Sequence, residues 1–306
     1  LKEERYMKKI ITLLLAMAML FALAACGATA TATTATPAPA TEAPATENPY
    51  AGKTIDELAA EITPVNPGYL TVGTSADFAP YEFWLPDANG NLQMVGFDVS
   101  LAQAIADALG LTLDMKSMSF DSILIELASG NIDLAIAGFS PTPERAQSVD
   151  FSDLYYMGGQ CLMIRAADAD KYTSFDSLKG LPVGAQTGSI QYGLAEDNTP
   201  DSDIVGLQDV TSIIMELKTG KLEAAFMETA VAEAYIKTNP DLAVAFDVEY
   251  TDAEGSAVAI RKGNDALTAA VNLVIAQVLA DGTMNDAIAT ANEQAADPGM
   301  QQITVE

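Results

Sequence analysis

The chain has 306 residues, a formal net charge of −27, no histidine and two cysteines. A surface this acidic argues against nucleic acid or anionic lipid as a partner. The lack of histidine removes imidazole-based catalysis, imidazole metal sites and the usual neutral-pH switch.

Met7-Lys8-Lys9 and the apolar run Ile10 to Ala25 read as the charged and hydrophobic regions of a secretory signal spanning residues 1–25. Residues 26–49 are nearly all Ala, Thr, Pro and Glu after Cys26 and Gly27. With no aromatic and no hydrophobic period they cannot bury a core, so they are expected to be a disordered tether. Thr54 to Ile62 has a short amphipathic helical pattern, and the compact fold is expected from about Tyr69.

From there strands and helices alternate. Leu70 to Gly73 reads as a strand, followed by the loop T-S-A-D-F-A-P-Y-E-F and a hairpin turn at Asp87-Ala88-Asn89-Gly90. Then come a helix over Val99–Leu109 stopped by Gly110, a strand over Leu111–Met115 and a helix over Asp121–Ser129. Ile132 to Ala137 is short and β-branched enough for a buried strand, and Thr142-Pro143 looks like the N-cap and first residue of a new helix. Further on, strands are expected at 162–165, 181–185, 204–206, 222–227, 242–248 and 257–260. Helices are expected at 174–179, from 190, and at 210–219, 229–237, 265–280 and 283–294. The alternation implies an α/β fold with mainly parallel sheets. Cys161, in the apolar stretch Q-C-L-M-I, is expected to be an inert core thiol.

Arginine is scarce. Beyond Arg5 there are only Arg145, Arg165 and Arg261. Arg145 falls in the first turn expected after Thr142, the wrong end of a helix dipole for a cation, so it should face something negative. A guanidinium beside free backbone N–H groups at a strand end suits a carboxylate.

The chain also echoes itself. S-I-L-I-E-L-A-S-G-N-I-D-L-A-I from Ser122 matches S-I-I-M-E-L-K-T-G-K-L-E-A-A-F from Ser212, each reading as helix, glycine stop, strand. Two lobes of similar architecture follow. Ligands of open α/β sheets bind outside the carboxyl ends of strands, which here are Gly138 with Ser140 and Arg145 in one unit and Glu228 in the other. A cation and an anion facing each other across a cleft fit a zwitterion.

The stretch A-G-x-[ST]-x-T-x-E-R…V-D-F-S, Ala137 to Ser152, resembles the signature of the extracellular amino-acid-binding proteins that serve ABC importers, solute-binding protein family 3. Other blocks of that family sit in order from about Leu70 to Thr290. The resemblance implies a two-lobed periplasmic-binding-protein fold (type II), hinged by two crossing strands near Gly158–Gln160 and Val248–Gly255. Lobe 1 would then hold residues 50–157 and 253–306, and lobe 2 residues 158–252. It implies that Phe78 and Phe120 wall the ligand. Gly138 and Ser140 would supply backbone groups, and Arg145 would grip the α-carboxylate with the Ser189 hydroxyl and the Ile190 N–H. Glu228 would take the α-ammonium. Leu23-Ala24-Ala25-Cys26 resembles a lipobox, which implies a diacylglycerol anchor on Cys26, a location on the outer face of the cell membrane, and a membrane link by lipid alone.

By the same resemblance Ser75, Asp77, Tyr81, Glu82, Gln186 and Met227 are candidates for the end of the pocket that reads the ligand's side chain. Ser75 stands where binders of basic amino acids often carry an acid. Asp77 and Glu82 could meet a guanidinium on which Phe78 stacks, and Gln186 could serve a guanidinium or an amide. No spare cation is present for an acidic side chain. The expected function is therefore binding a polar L-amino acid, arginine or glutamine first, as a monomer that delivers to a permease and ATPase without cofactor, metal or catalysis. The alternatives are an enzyme of dehydratase type on the same scaffold, revealed by turnover of prephenate or arogenate, and a module that senses the ligand for a membrane kinase. A neighbouring permease gene would argue against the sensor.

Overall fold

A computed structural model describes residues 49–251 and 255–297. The signal region, Cys26 and all of the tether but Pro49 lie outside the described residues.

Among the described residues two five-stranded sheets carry the fold. The first is built from β1 (Tyr69–Thr74), β5 (Thr112–Ser117), β6 (Leu134–Ala135), β7 (Val149–Tyr156) and β13 (Ser256–Arg261), in the order β5-β1-β6-β13-β7. The second is built from β8 (Gln160–Arg165), β9 (Pro182–Gln186), β10 (Asp203–Leu207), β11 (Ala224–Glu228) and β12 (Leu242–Val248), in the order β10-β9-β11-β8-β12. A small antiparallel sheet of β2 (Asp77–Phe78), β3 (Glu82–Pro86) and β4 (Leu92–Val95) stands beside the first.

The expectation of mainly parallel sheets needs refining. In each large sheet four strands run one way and one is reversed, so only the ladders that avoid β13 or β8 are parallel. The reversed strands are the first strand after one connection between the sheets, residues 157–159, and the first after the other, residues 249–255. The chain leaves one sheet and re-enters the other heading back along its neighbours, so its ladders there are antiparallel.

Helices cover both faces of each sheet, which makes the strands apolar on both sides. In β8, Cys161 and Met163 pack with Ile213 and Leu217 of α5 (Val210–Thr219), while Leu162 and Ile164 pack with Val183 and Phe226 on the other side. Cys161 is buried and unpaired, and burial pushes its thiol up to about 12, consistent with an inert core thiol. In the first sheet Leu70, Val72, Val258 and Ile260 pack against α2 (Phe97–Ala108) and α7 (Asp265–Ala280), whose Leu267, Val271 and Ile275 face inward. Each such side chain contributes about 1.5–3 kcal/mol. The remaining helices are α1 (Ile55–Ala59), α3 (Phe120–Ser129), α4 (Ile190–Asn198), α6 (Thr229–Thr238) and α8 (Thr283–Gln294).

Two local expectations fail. The helix expected from Thr142 and Pro143 is a single 3₁₀ turn, Arg145–Gln147, although the Thr142 hydroxyl does accept the Arg145 N–H at 3.2 Å. Only one turn fits because Val149 already pairs with Arg261 of β13. The strand expected over Ile132–Ala137 is reduced to Leu134–Ala135, because β1, its neighbour, ends at Thr74 and the chain turns away at Gly138.

Candidate functional site

The strands β1, β6, β9 and β11 bring their carboxyl ends to one cavity. It is lined by Phe78, Tyr81, Phe120, Gly138, Ser140 and Arg145 from the first sheet's side and by Gln186, Ser189, Ile190, Gln191 and Glu228 from the second's. Gly158, Gln160, Gly255 and Ser256 close it at the connections. All eight residues expected to bind ligand line this one cavity. Its volume is about 30 Å³.

Gly138 has φ 58°, a left-handed value that favours glycine. The turn aims the backbone of 138–140 at the cavity instead of extending β6. A Cβ at Gly138 would lie 3.0 Å from the Phe78 ring, so the aromatic sits directly on this backbone. The turn is held from below by Asp98, whose Oδ2 accepts the Gly138 N–H and the Tyr155 hydroxyl, both at 2.9 Å. Burial pushes Asp98 up to about 6, against those two donors.

Arg145 opens the single 3₁₀ turn on the loop that leaves β6 at Gly138. Its guanidinium donates to the carbonyl of Ser140 at 3.0 Å and to that of Gly188 across the cleft at 3.1 Å. It lies over the rings of Phe139 and Phe120, 5.2 and 5.5 Å from their centroids, and those rings stack at 4.7 Å. The expected negative partner is not a side chain: carbonyl oxygens and π faces hold the cation. Burial lowers its pKa to about 10, so it stays charged at neutral pH.

Glu228 ends β11 and caps α6, accepting the Val231 N–H at 3.0 Å with Oε2. The Tyr81 hydroxyl lies close enough to lower its pKa, but among the described residues no hydrogen bond reaches its Oε1. Glu228 is buried, and desolvation pushes its pKa up to about 7 despite these groups. Ser189 caps α4, donating to the Gln186 carbonyl at 2.7 Å and accepting the Tyr192 N–H at 3.2 Å. The Ile190 N–H opens that helix, at the end where the dipole favours an anion. Arg145 and Glu228 are the cationic and the acidic side chain of the lining.

The candidates for the side-chain end divide. Tyr81 and Gln186 line the cavity, whereas Ser75, Asp77, Glu82 and Met227 do not. Met227 is core, 2% exposed. Asp77 accepts from the Ser75 hydroxyl at 2.7 Å and, across the cleft, from the Val210 N–H at 2.6 Å. Tyr235 donates to its carbonyl at 3.1 Å. Burial pushes the Asp77 carboxyl up to about 6. Glu82 is fully buried beside Asp98, and desolvation, then the Asp98 charge, push its pKa well above the carboxylate range. It lines no part of the cavity, so it is out of reach of a guanidinium there.

Sequence reasoning missed Phe139, which supports Arg145, and the buried pair in which Gln191 donates to Gln160 at 2.8 Å. Phe139 was readable as the residue between Gly138 and Ser140. Gln160 carries no local signal, because its place depends on where the chain changes sheets.

The sequence pattern described as bacterial extracellular solute-binding proteins, family 3, matches residues 70–290. The chain is 34% identical over 263 residues to the arginine-binding extracellular protein ArtP of Bacillus subtilis, covering 85% of this chain and 88% of that protein. Among solved structures it is similar to an amino acid ABC transporter substrate-binding protein, AbpA, of Streptococcus pneumoniae bound to L-arginine. That likeness has a TM-score of 0.72 at 37% identity, over 75% of this chain and 97% of the other. An ancestral arginine-binding protein bound to glutamine is also similar, with a TM-score of 0.67 at 36% identity, over 74% of this chain and 98% of the other.

Proposed function

The chain belongs to family 3 of the bacterial extracellular solute-binding proteins, and on that premise we propose that it captures a polar L-amino acid outside the cell. Arginine leads and glutamine follows, and the bound amino acid is delivered to the permease and ATPase of an ABC importer. The observation that carries this reading is the meeting of Arg145 and Glu228 in one cavity, from opposite sheets, between Phe78 and Phe120. The α-carboxylate goes to Arg145 and the Ile190 N–H, beside Ser140 and Ser189. The α-ammonium goes to Glu228 and the Gly138 carbonyl. The side chain lies between the two aromatic rings toward Tyr81 and Gln186.

A second carboxylate on the ligand would meet no further lining cation, and leaving it unpaired is costly. That argues against aspartate and glutamate. For arginine over glutamine the support comes from the relatives and from the π faces of Phe78 and Phe120, since Asp77 and Glu82 do not line the cavity. We further propose that the protein works as a monomer, performs no reaction, and hangs from the membrane by a lipid on Cys26 through the 26–49 tether. The lobes are taken as 50–157 with 253–306, and 158–252.

A thermal-shift panel of the twenty amino acids, followed by calorimetry, tests the ligand. Stabilisation by arginine, glutamine or both is expected. Stabilisation only by aspartate and glutamate, or only by branched aliphatic residues, would overturn the choice. Radiolabelled palmitate on the wild type and its absence from a Cys26→Ala variant test the anchor.

A further inference from the structure

Gly158 lies in the connection between β7 and β8, and its φ is outside the left-handed region, unlike that of Gly138. Its backbone conformation is therefore open to any L residue, and the reason for glycine must be space. A Cβ built on it would lie 2.4 Å from Glu228 Oε1 and 3.1 Å from the Tyr81 hydroxyl oxygen. The first distance is far inside van der Waals contact, so a methyl group there displaces the carboxylate.

Apart from the cavity it lines, that carboxylate is held on several sides. Its other oxygen caps α6 through the Val231 N–H. The backbone of β11 is fixed to the connection, since Thr229 donates its N–H to the Gly159 carbonyl at 2.9 Å and Glu228 pairs with Gln160. Tyr81 is 1% exposed and wedged between Phe97 and Tyr156, with ring centroids at 4.3 and 5.3 Å. Three elements thus surround the carboxylate on the sides away from the cavity. The space at Gly158 is what admits the second methylene of that side chain.

We propose that Gly158 is a positioning residue that sets the length of the ammonium-binding acid: glycine at 158 admits Glu228, and any side chain at 158 demands the shorter aspartate at 228. The inference rests on the reading that Glu228 takes the ligand's ammonium. It predicts that the two positions act as one unit rather than as independent sites.

The test uses Gly158→Ala, Glu228→Asp, the double variant and Glu228→Gln. Each is read by thermal melting without ligand, and by calorimetry with L-arginine, L-glutamine and 5-guanidinopentanoic acid, which lacks the α-amino group. Gly158→Ala is expected to melt lower, to lose at least tenfold in amino-acid affinity and to lose its preference for L-arginine over the deamino compound. Glu228→Asp is expected to lose several-fold. The double variant should regain both the melting temperature and the preference, binding more tightly than either single variant. If Gly158→Ala binds and melts within error of wild type, or if the double variant shows only the sum of the two single losses, the pairing is wrong. If Gly158→Ala does not fold, a folded double variant supports the pairing and an unfolded one overturns it. If Glu228→Gln keeps wild-type affinity and preference, the ammonium assignment fails instead. The melting coupling between 158 and 228 then stands or falls by itself.

Discussion

The two units that echo each other in sequence begin alike and end differently. Helix α3 stops at Gly130 and α5 at Gly220, both left-handed at φ 78° and 75°, with cap N–H groups returned to matching carbonyls. Each then feeds a strand that pairs in parallel with an inner strand of its sheet, β6 with β1 and β11 with β9. In the first unit β6 covers two residues and the chain turns out at Gly138, so what reaches the cavity is backbone and, on the loop that follows, the Arg145 cation. In the second unit β11 runs on to Glu228, which itself caps the next helix and presents an anion. One scaffold therefore delivers opposite charges, a cation from the loop after the strand in one unit and an anion from the strand's last residue in the other.

The contacts across the cleft repeat the pattern with the same asymmetry. The loop after β9 offers the Gly188 carbonyl to Arg145, beside the start of α3, where a Cβ on Gly188 would lie 3.1 Å from that of Asp121. The loop after β1 offers Asp77 to the first N–H of α5. In each case the loop after the strand to which the echoed strand runs parallel docks on the head of the other half's matching helix.

The largest expected effect comes from removing the cation. Arg145→Ala should leave the fold intact, because Arg145 sits on a loop at the cleft, but should cost about 2–5 kcal/mol of affinity by leaving a buried carboxylate unpaired. Calorimetry checks it. Binding within about threefold of wild type would mean that the first unit contributes backbone alone.

Much of this asymmetry was legible in the sequence. The echo, the glycine stops and the strand ends at Gly138 and Glu228 follow from periodicity and turn residues, because these are local effects. The order of strands, the reversal of β8 and β13 and the place of Gln160 are set by where the chain changes sheets, which no window of residues encodes. Asp77 and Glu82 show the same limit. Their nearness in sequence to Phe78 and Tyr81 suggested the pocket, but a carboxyl group's role depends on what lies opposite. For Asp77 that is a helix N-terminus 133 residues away, and for Glu82 it is a second buried carboxyl.

The next effect is a pH dependence of opposite sign for binding and for folding. Glu228 titrates at about 7 and must be ionised to hold an ammonium. Affinity should therefore fall up to about tenfold for each pH unit below 7 and level off above it. Glu228→Gln should flatten that slope. Stability without ligand should run the other way. Glu228 at about 7 and Asp77 and Asp98 at about 6 are all raised above unfolded values near 4. Between pH 4 and 7 the folded protein holds protons that the unfolded chain has released, so these groups favour folding at low pH and lose that contribution as pH rises. Calorimetric titrations and denaturant melts over pH 5–8 check both signs; slopes of the same sign would refute the assignment of Glu228.

The smallest effect separates closing from reading. Asp77 bonds α5 across the cleft and lines no part of the cavity, so that bond belongs to the arrangement in which the halves meet. Asp77→Ala strands the Val210 N–H when the halves meet, a cost of about 1–3 kcal/mol for an unsatisfied buried donor, reduced by whatever water reaches the gap. Because a ligand must be enclosed to be held, that cost should appear as weaker binding of every ligand by one common factor. Arginine and glutamine should lose affinity equally, and the deamino compound with them. Small-angle scattering should show the radius of gyration falling on saturation with L-arginine in both wild type and variant, the variant needing more ligand to reach the same compact form. An unchanged profile for the wild type at saturation would remove the hinge from the argument. A larger loss for arginine than for glutamine would instead give Asp77 a part in reading the guanidinium, through Gln186, whose amide lies 3.4 Å from its carboxylate.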